Sequence, residues 1–398
     1  MNQWIPLGPP SPPLPTPSIP ESLVFSGDRR EFFRLVARGA GLELVTVGFY
    51  RFWLATDIRR HLWSNTQVDG DAAEYTGRGK ELLIGFLFAL AIIVPVYLAY
   101  FIAGLEAERL KAFASFPLLL FLYVFGQFAI YRARRYRLTR TVWRGVRFWM
   151  DGSGWAYAAR AALWMVLIPL TLGLILPWRE AALERYKMRH CYYGDLQGSF
   201  EGRGWDFFKQ GWGLWVLAVA SLIMLGFAKI IPFGPLLVLV AAPFIYAGFK
   251  AVEWRWWLSG IRFGRVRFES DLWAGELAGL YWKMIGWSLL IAALFVAYLF
   301  ACASLIAKID QTPIAKLFAA GNLKDSIPMI VLAVVGYLIF ILAMNVVMRV
   351  YLLRDLWMRV VQSVTVHDLE AVANVSAKGE LASALGEGLA DGLDVVGF

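Results

Sequence analysis

The chain has 398 residues, 59% hydrophobic and 17% charged, with a mean hydropathy of +0.56. Soluble domains are nearer half apolar and a quarter charged, so this composition excludes an ordinary soluble domain and points to a polytopic membrane protein. The net charge of +9 clusters at the ends of apolar stretches, where it meets anionic headgroups rather than nucleic acid, and two cysteines, Cys191 and Cys302, are too few for a disulfide framework or a cysteine metal cluster.

Residues 1–21 open the chain with eight prolines in the first twenty positions. They read as a disordered, extended tail with no signal-peptide pattern. A nine-residue phrase follows and recurs: FSGDRREFF at 25–33, YTGRGKELL at 75–83 and FEGRGWDFF at 200–208. Its aromatic and glycine are expected to close a strand, the glycine for its permissive backbone angle. Its acid, Glu31, Glu81 or Asp206, is expected to begin a helix, where the positive end of the helix dipole favours it.

Residues 39–54 and 158–178 are apolar but ambiguous, and they share T-x-G-x4-W as TVGFYRFW and TLGLILPW. Six other stretches reach or approach the roughly 20 apolar residues that a spanning helix needs. They are 82–103, 112–131, 212–228, 230–250, 280–306 and 327–350, and they pair into three hairpins. The hairpins turn through GLEAERLK, through KIIPFGP and through a longer polar loop at 307–326.

After each apolar passage a second phrase begins with arginine: Arg60, Arg140, Arg185, Arg255 and Arg354. Trp63, Trp143 and Trp357 hold its fourth position, and a strand-like run is expected five residues after the arginine. Turns are signalled by VDGDAAEYTG, WMDGSG and YYGDLQGS. Each arginine is expected at the interface, pairing with a helix-starting acid or a lipid phosphate. The whole unit recurs about five times, with one passage in units one and three and a pair of spans in the others. The 268–277 opening of unit five is degraded.

Positive charge assigns the sides. Segment 132–157 carries seven arginines, and 55–81, 179–211 and 251–279 are also basic, so all four are expected in the cytoplasm. The stretch 158–178 then cannot cross once, and it and 39–54 are re-entrant or interfacial. The preferred reading is a polytopic α-helical membrane protein with internal repeats. It has six spans, both termini cytoplasmic and a cytoplasmic collar of short β-strands. The rival reading has eight spans, with 179–211 outside.

The series FSGDRREFFRL, TVGFYRFW, RRHLWSNT, GDAAEYTGRGKELLIGF, YRARRYRLTRTVWRGVRF and LTLGLILPW, in this order, resembles the YjgN family of bacterial inner-membrane proteins, a domain of unknown function. The resemblance covers roughly residues 22–365. It implies a multi-pass inner-membrane protein and carries no catalytic residues with it.

The chemistry-bearing residues are sparse. His61, His190 and His367 lack metal-ligand spacing, GRGKE at 77–81 is an incomplete phosphate loop, and no hydrolase or zinc-protease motif is present. No catalytic residue, metal ligand or cofactor is expected. Glu43, Thr46 and Thr171 in the dipping stretches, with Gln127 and Asn345 in the spans, are candidates to line a pathway or pocket. The leading expectation is a non-enzyme that binds or passes a small solute or lipid. The alternative is a scaffold recruiting a membrane protease or envelope factor through the basic collar and the acidic, glycine-rich tail at 370–398, with a homo-oligomer also open. A lipid-modifying enzyme is the third reading.

Overall fold

The computed structural model describes residues 20–106, 111–309 and 323–382. Extended and helical segments alternate in a fixed order. Strands β1 (Glu21–Ser22) and β2 (Val24–Phe25) lead into helices α1 (Arg29–Val45) and α2 (Arg51–Ser64), then β3 (Thr66–Val68). Next come β4 (Asp71–Ala72), β5 (Glu74–Tyr75), α3 (Gly79–Glu106), α4 (Lys111–Thr139) and β6 (Thr141–Trp143). Strand β7 (Val146–Met150) is followed by α5 (Gly154–Leu170), α6 (Leu176–Arg189) and β8 (Cys191–Tyr193). Strand β9 (Leu196–Phe200) is followed by α7 (Gly204–Gly226), α8 (Gly234–Gly260) and β10 (Ile261–Phe263). Last come β11 (Val266–Ser270), α9 (Ala274–Ile309), α10 (Leu323–Met348), a π-helical stretch (Arg349–Asp355), α11 (Leu356–Gln362) and β12 (Val364–His367).

The strands form a nine-stranded sheet, β1-β12-β11-β10-β9-β8-β7-β6-β5, and a three-stranded sheet, β2-β3-β4. Every pairing among the described strands is antiparallel, and the two sheets are parts of one circuit. Only Leu23 separates β1 from β2, and only Ala73 separates β4 from β5. Backbone bonding continues through both breaks: the Leu23 N–H donates to the Val364 carbonyl at 3.0 Å, and the Ala73 N–H to the Thr66 carbonyl at 3.1 Å. Tracing partner to partner therefore returns to the starting strand. Two-residue hairpins join successive strand pairs. Asp69-Gly70 and Arg144-Gly145 have positive φ at both positions, while Gly194-Asp195 and Gly264-Arg265 have it at the glycine alone. These are the primed turns that match strand twist.

The helices make a second circuit. Each of α1 to α9 touches the helix that follows it, and α10 touches α1. Phe32, Val36 and Ala40 of α1 pack with Leu54, Ile58 and Leu62 of α2, and with Val346, Val350 and Val361 from the last helical run. Among the described residues, five helices are long and apolar enough to cross a membrane: Gly79–Ile102, Gly204–Gly226, Gly234–Gly260, Ala274–Ile309 and Ile330–Gln362. The expected sixth span, 112–131, falls on α4. The lead-in to α4 at 107–110, most of the 307–326 loop, the tail before residue 20 and the tail after 382 lie outside the described residues.

The stretches 39–54 and 158–178 each contain the turn of a helical hairpin, α1–α2 and α5–α6. Met150 pairs with Cys191, so the chain between them leaves the sheet and returns to it. Two expectations need correction, the turn at WMDGSG and the register of the arginine phrase. WMDGSG links a strand to a helix, and the hairpin nearby is Arg144-Gly145. The Arg-x2-Trp phrase mixes registers: the next strand starts six residues after Arg60, Arg185 and Arg255, one after Arg140 and ten after Arg354. Trp63 and Trp357 are helical, whereas Trp143 lies in β6.

Candidate functional site

Where the C-terminal ends of α2, α4, α8 and α11 meet the circuit of strands they line a half-open cavity of about 410 Å³. The long strands contribute their middle residues, Leu23, Ala73, Phe148 and Phe268. The equivalent position in β9 is Gly198, where a Cβ would already meet Met188 and the Cys191 carbonyl at 3.0–3.1 Å. Successive side chains of a strand alternate faces, so one inward residue per short strand is what its pleat supplies.

The helix ends add aromatic walls and two cations. Arg134 and Arg137 stand seven and four residues before β6, and Trp254 and Trp257 seven and four before β10. Three-residue spacing puts each pair on one helix face. Trp63 and Trp357 stack at 4.9 Å and donate to Thr141 Oγ1 (3.0 Å) and Thr66 Oγ1 (2.9 Å), each in a neighbouring closing strand. Buried indole N–H groups need such partners. Trp254 and Trp257 meet edge to face at 5.5 Å.

Arg134 lies 5.9 Å from the Trp257 ring and donates to Glu184 Oε2 at 3.2 Å. It also faces a smaller charged cavity of about 210 Å³, lined by Glu180, Glu184 and Lys187 of α6 with Lys250 and Glu253 of α8. Burial alone would raise the Glu184 pKa, but Lys187 and Arg134 outweigh it and hold the carboxylate at about 2. Burial is the largest influence on Glu180 and leaves its pKa raised despite Arg179. Burial also pushes the Cys191 thiol up to about 11, which makes it a poor nucleophile. An apolar, aromatic-walled chamber with cations on one wall can hold a hydrophobic body that carries an acid. Among the described residues, no three His, Cys, Asp or Glu side chains converge to hold a metal ion.

The five expected pathway residues lie elsewhere. Glu43 is bound by both terminal nitrogens of Arg349, at 2.8 and 3.0 Å. Thr46 Oγ1 donates to the Leu42 carbonyl (2.7 Å) and accepts from the Tyr50 N–H (2.9 Å). Thr171 repeats this with Leu167 and Ile175. Both threonines thus clamp the turn of a helical hairpin. Asn345 donates to the Ile341 carbonyl of its own helix, and Gln127 is half-buried in α4.

The framing residues are better placed for joints than for chemistry. Glu31, Glu81 and Asp206 lie in the first turns of α1, α3 and α7. Only Glu81 binds an arginine of the second phrase, Arg140 at 2.9 Å, and it also accepts from Tyr136 at 2.6 Å. Arg60, Arg255 and Arg354 instead donate to the carbonyls of Gly77, Leu272 and Gly27, at 2.8, 2.9 and 2.7 Å. Each accepting carbonyl lies two residues beyond the end of a strand, and Arg354, near the last helical run, reaches the segment between β2 and α1. Arg185 is exposed, and Trp143 donates to the Asp71 carbonyl at 3.2 Å beneath Arg144.

The sequence reading missed Arg134, Arg137, Trp254, Trp257 and Arg349. The first four become visible when the chain is aligned on strand starts rather than on arginines. A family model described as a bacterial protein of unknown function, DUF898, matches residues 20–392. Comparison with curated proteins and with solved structures returns no match.

Proposed function

Since the chain belongs to the DUF898 family of bacterial proteins of unknown function, we propose that it is an inner-membrane protein that binds or passes a small amphiphilic solute or lipid through the axial cavity. The similarity to the YjgN family is compatible with this reading. Six spans, α3–α4, α7–α8 and α9–α10, would carry the molecule across the bilayer in three hairpins. The hairpins α1–α2 and α5–α6 would dip and return. The circuit of strands would be a cytoplasmic collar of five related units, with both termini on that side, as the basic segments favour.

One observation carries the reading: a cavity of about 410 Å³ with Trp63, Trp254, Trp257 and Trp357 in its walls and Arg134 and Arg137 beside them. Pockets of this size and lining hold molecules with an apolar body and a few fixed polar contacts. The test is to extract purified full-length chain with organic solvent and identify retained small molecules by mass spectrometry. Ala73→Phe, which fills the cavity from the middle of a strand, should lose a molecule that the parent retains. Identical extracts from folded parent and variant would sink the proposal.

A further inference from the structure

A second site lies on the outer side of the first helical hairpin. Between α1 and α2 runs a groove of about 690 Å³. Arg34 and Arg38, one turn apart on α1, share it with Arg60, His61 and Ser64 on α2. Most arginines at the helix ends are engaged: Arg29 by Asp355, Arg140 by Glu81, Arg134 by Glu184 and Arg349 by Glu43. Arg34 and Arg38 are exposed and have no hydrogen bond or ion pair among the described residues. Two acids also line the groove: Asp57, which binds Arg60 at 3.4 Å, and Glu31, one turn closer to the strands than Arg34. His61 is 7% exposed, and its Nε2 has no hydrogen-bond partner. Burial lowers its pKa, so the ring is neutral at pH 7 and still has one N–H to donate.

The far end of the same hairpin is apolar. Val45 and Val47 are 79% and 87% exposed, and Phe49 is 56% exposed. Exposed valines in a reversing turn suit hydrocarbon better than water. A helix rises 1.5 Å per residue, so Arg38 and Arg34 stand about 10 and about 17 Å back from Val45. Half of a bilayer's hydrocarbon thickness is about 15 Å. With the tip near the midplane, Arg34 then stands at the hydrocarbon boundary and Arg38 about 5 Å inside it, and both long side chains can snorkel outward to one leaflet's phosphates.

We infer that the α1–α2 groove binds the phosphate of a bilayer lipid headgroup, held by Arg34 and Arg38, with Arg60 and His61 across from them. The inference rests on the membrane reading and is independent of the axial cavity. Arginine supplies charge-assisted, often bidentate contacts to phosphate, and each basic side chain near an anionic surface contributes about fivefold in affinity.

The test is thermal unfolding of the full chain in a neutral detergent, with phosphatidylglycerol, diacylglycerol or inorganic phosphate added. A ligand that binds only the folded state raises the midpoint by mass action. Phosphatidylglycerol should raise it, and diacylglycerol, which lacks the phosphate, should not. Arg34→Gln with Arg38→Gln should leave the ligand-free midpoint unchanged, because neither side chain has a partner among the described residues, and weaken the lipid's apparent affinity by about 25-fold. Arg34→Lys with Arg38→Lys should retain most of the response. A full lipid response in the double glutamine variant would overturn the assignment. So would an equal response to inorganic phosphate alone, which would mark a free-anion site. Failure of the membrane reading would show separately, as chain that stays dispersed once detergent is removed.

Discussion

Phe25, Tyr75 and Phe200 each end a strand, and each ring folds back over the glycine two residues on. A Cβ at Gly27, Gly77 or Gly202 would lie 2.5–2.6 Å from that ring. None of the three has positive φ. The expectation of a special backbone angle was therefore mistaken; the cause is a close approach by the aromatic at the start of the same phrase. The spacing of the motif was legible in the sequence, but its cause was not, because an aromatic two residues before a glycine fits a special backbone angle as well as a close ring contact. Forcing a methyl into a packed site costs about 1–3 kcal/mol. Gly77→Ala and Gly202→Ala should therefore lower the unfolding midpoint of purified chain. Gly41 lies in α1 with nothing near its missing Cβ. Gly41→Ala should stabilise by up to about 1 kcal/mol, as alanine does inside a helix. Equal shifts for Gly41→Ala and Gly77→Ala would remove the ring-packing explanation.

The short hairpins show what element-level patterns reveal. T-x-G was visible twice, and it marks the same joint twice. Thr46 and Thr171 clamp the turn, Val47 and Leu172 take φ near +50°, and Gly48 and Gly173 take φ above +80°. A valine in the left-handed region costs free energy that asparagine or glycine would avoid. At 87% exposure it gains nothing from a protein core. The length of the apolar run hid this joint, because two shorter helices and their turn add up to an apparent span. Basic segments on both sides led to the expectation of a return; in the sheet itself, Met150 pairs with Cys191. In a chain with Cys191 and Cys302 replaced by serine, single cysteines at Ser153 and Ser199 should be protected from an impermeant thiol reagent in sealed cells. Both should react in inverted vesicles. A cysteine at Ala319, outside the described residues, should react from the cell exterior. Labelling of Ser199 but not Ser153 from outside would mean that 158–178 spans after all.

At the scale of the molecule, the property hardest to read in one dimension is closure. Glu21 pairs with Val366 and Ser22 with Thr365, joining strands from opposite ends of the chain. No local pattern announces that contact. The misaligned arginine phrase hid it further, since Arg354 was matched by spacing to arginines that stand closer to their strands. Its bond to the Gly27 carbonyl is the joint that Arg60 and Arg255 make within the chain, used once more across the seam. Arg29–Asp355 at 3.0 Å and Arg349–Glu43 at 2.8 Å fasten the same boundary. A seam held like the covalently continuous joints need not be where the chain begins and ends. Joining residue 368 to residue 20 by a short linker and opening the chain at Arg144-Gly145 should then give a permuted protein with the same strand circuit. Loop-closure cost changes by only about 0.6 kcal/mol per doubling of length, so stability should hold within about 1 kcal/mol. The comparison is the unfolding midpoint of parent and permutant in one detergent. A permutant that accumulates in the membrane but melts far below the parent would mean that the five proposed units are not interchangeable stations on one ring. The order of synthesis, starting from the α1–α2 hairpin, would then be part of what the sequence specifies.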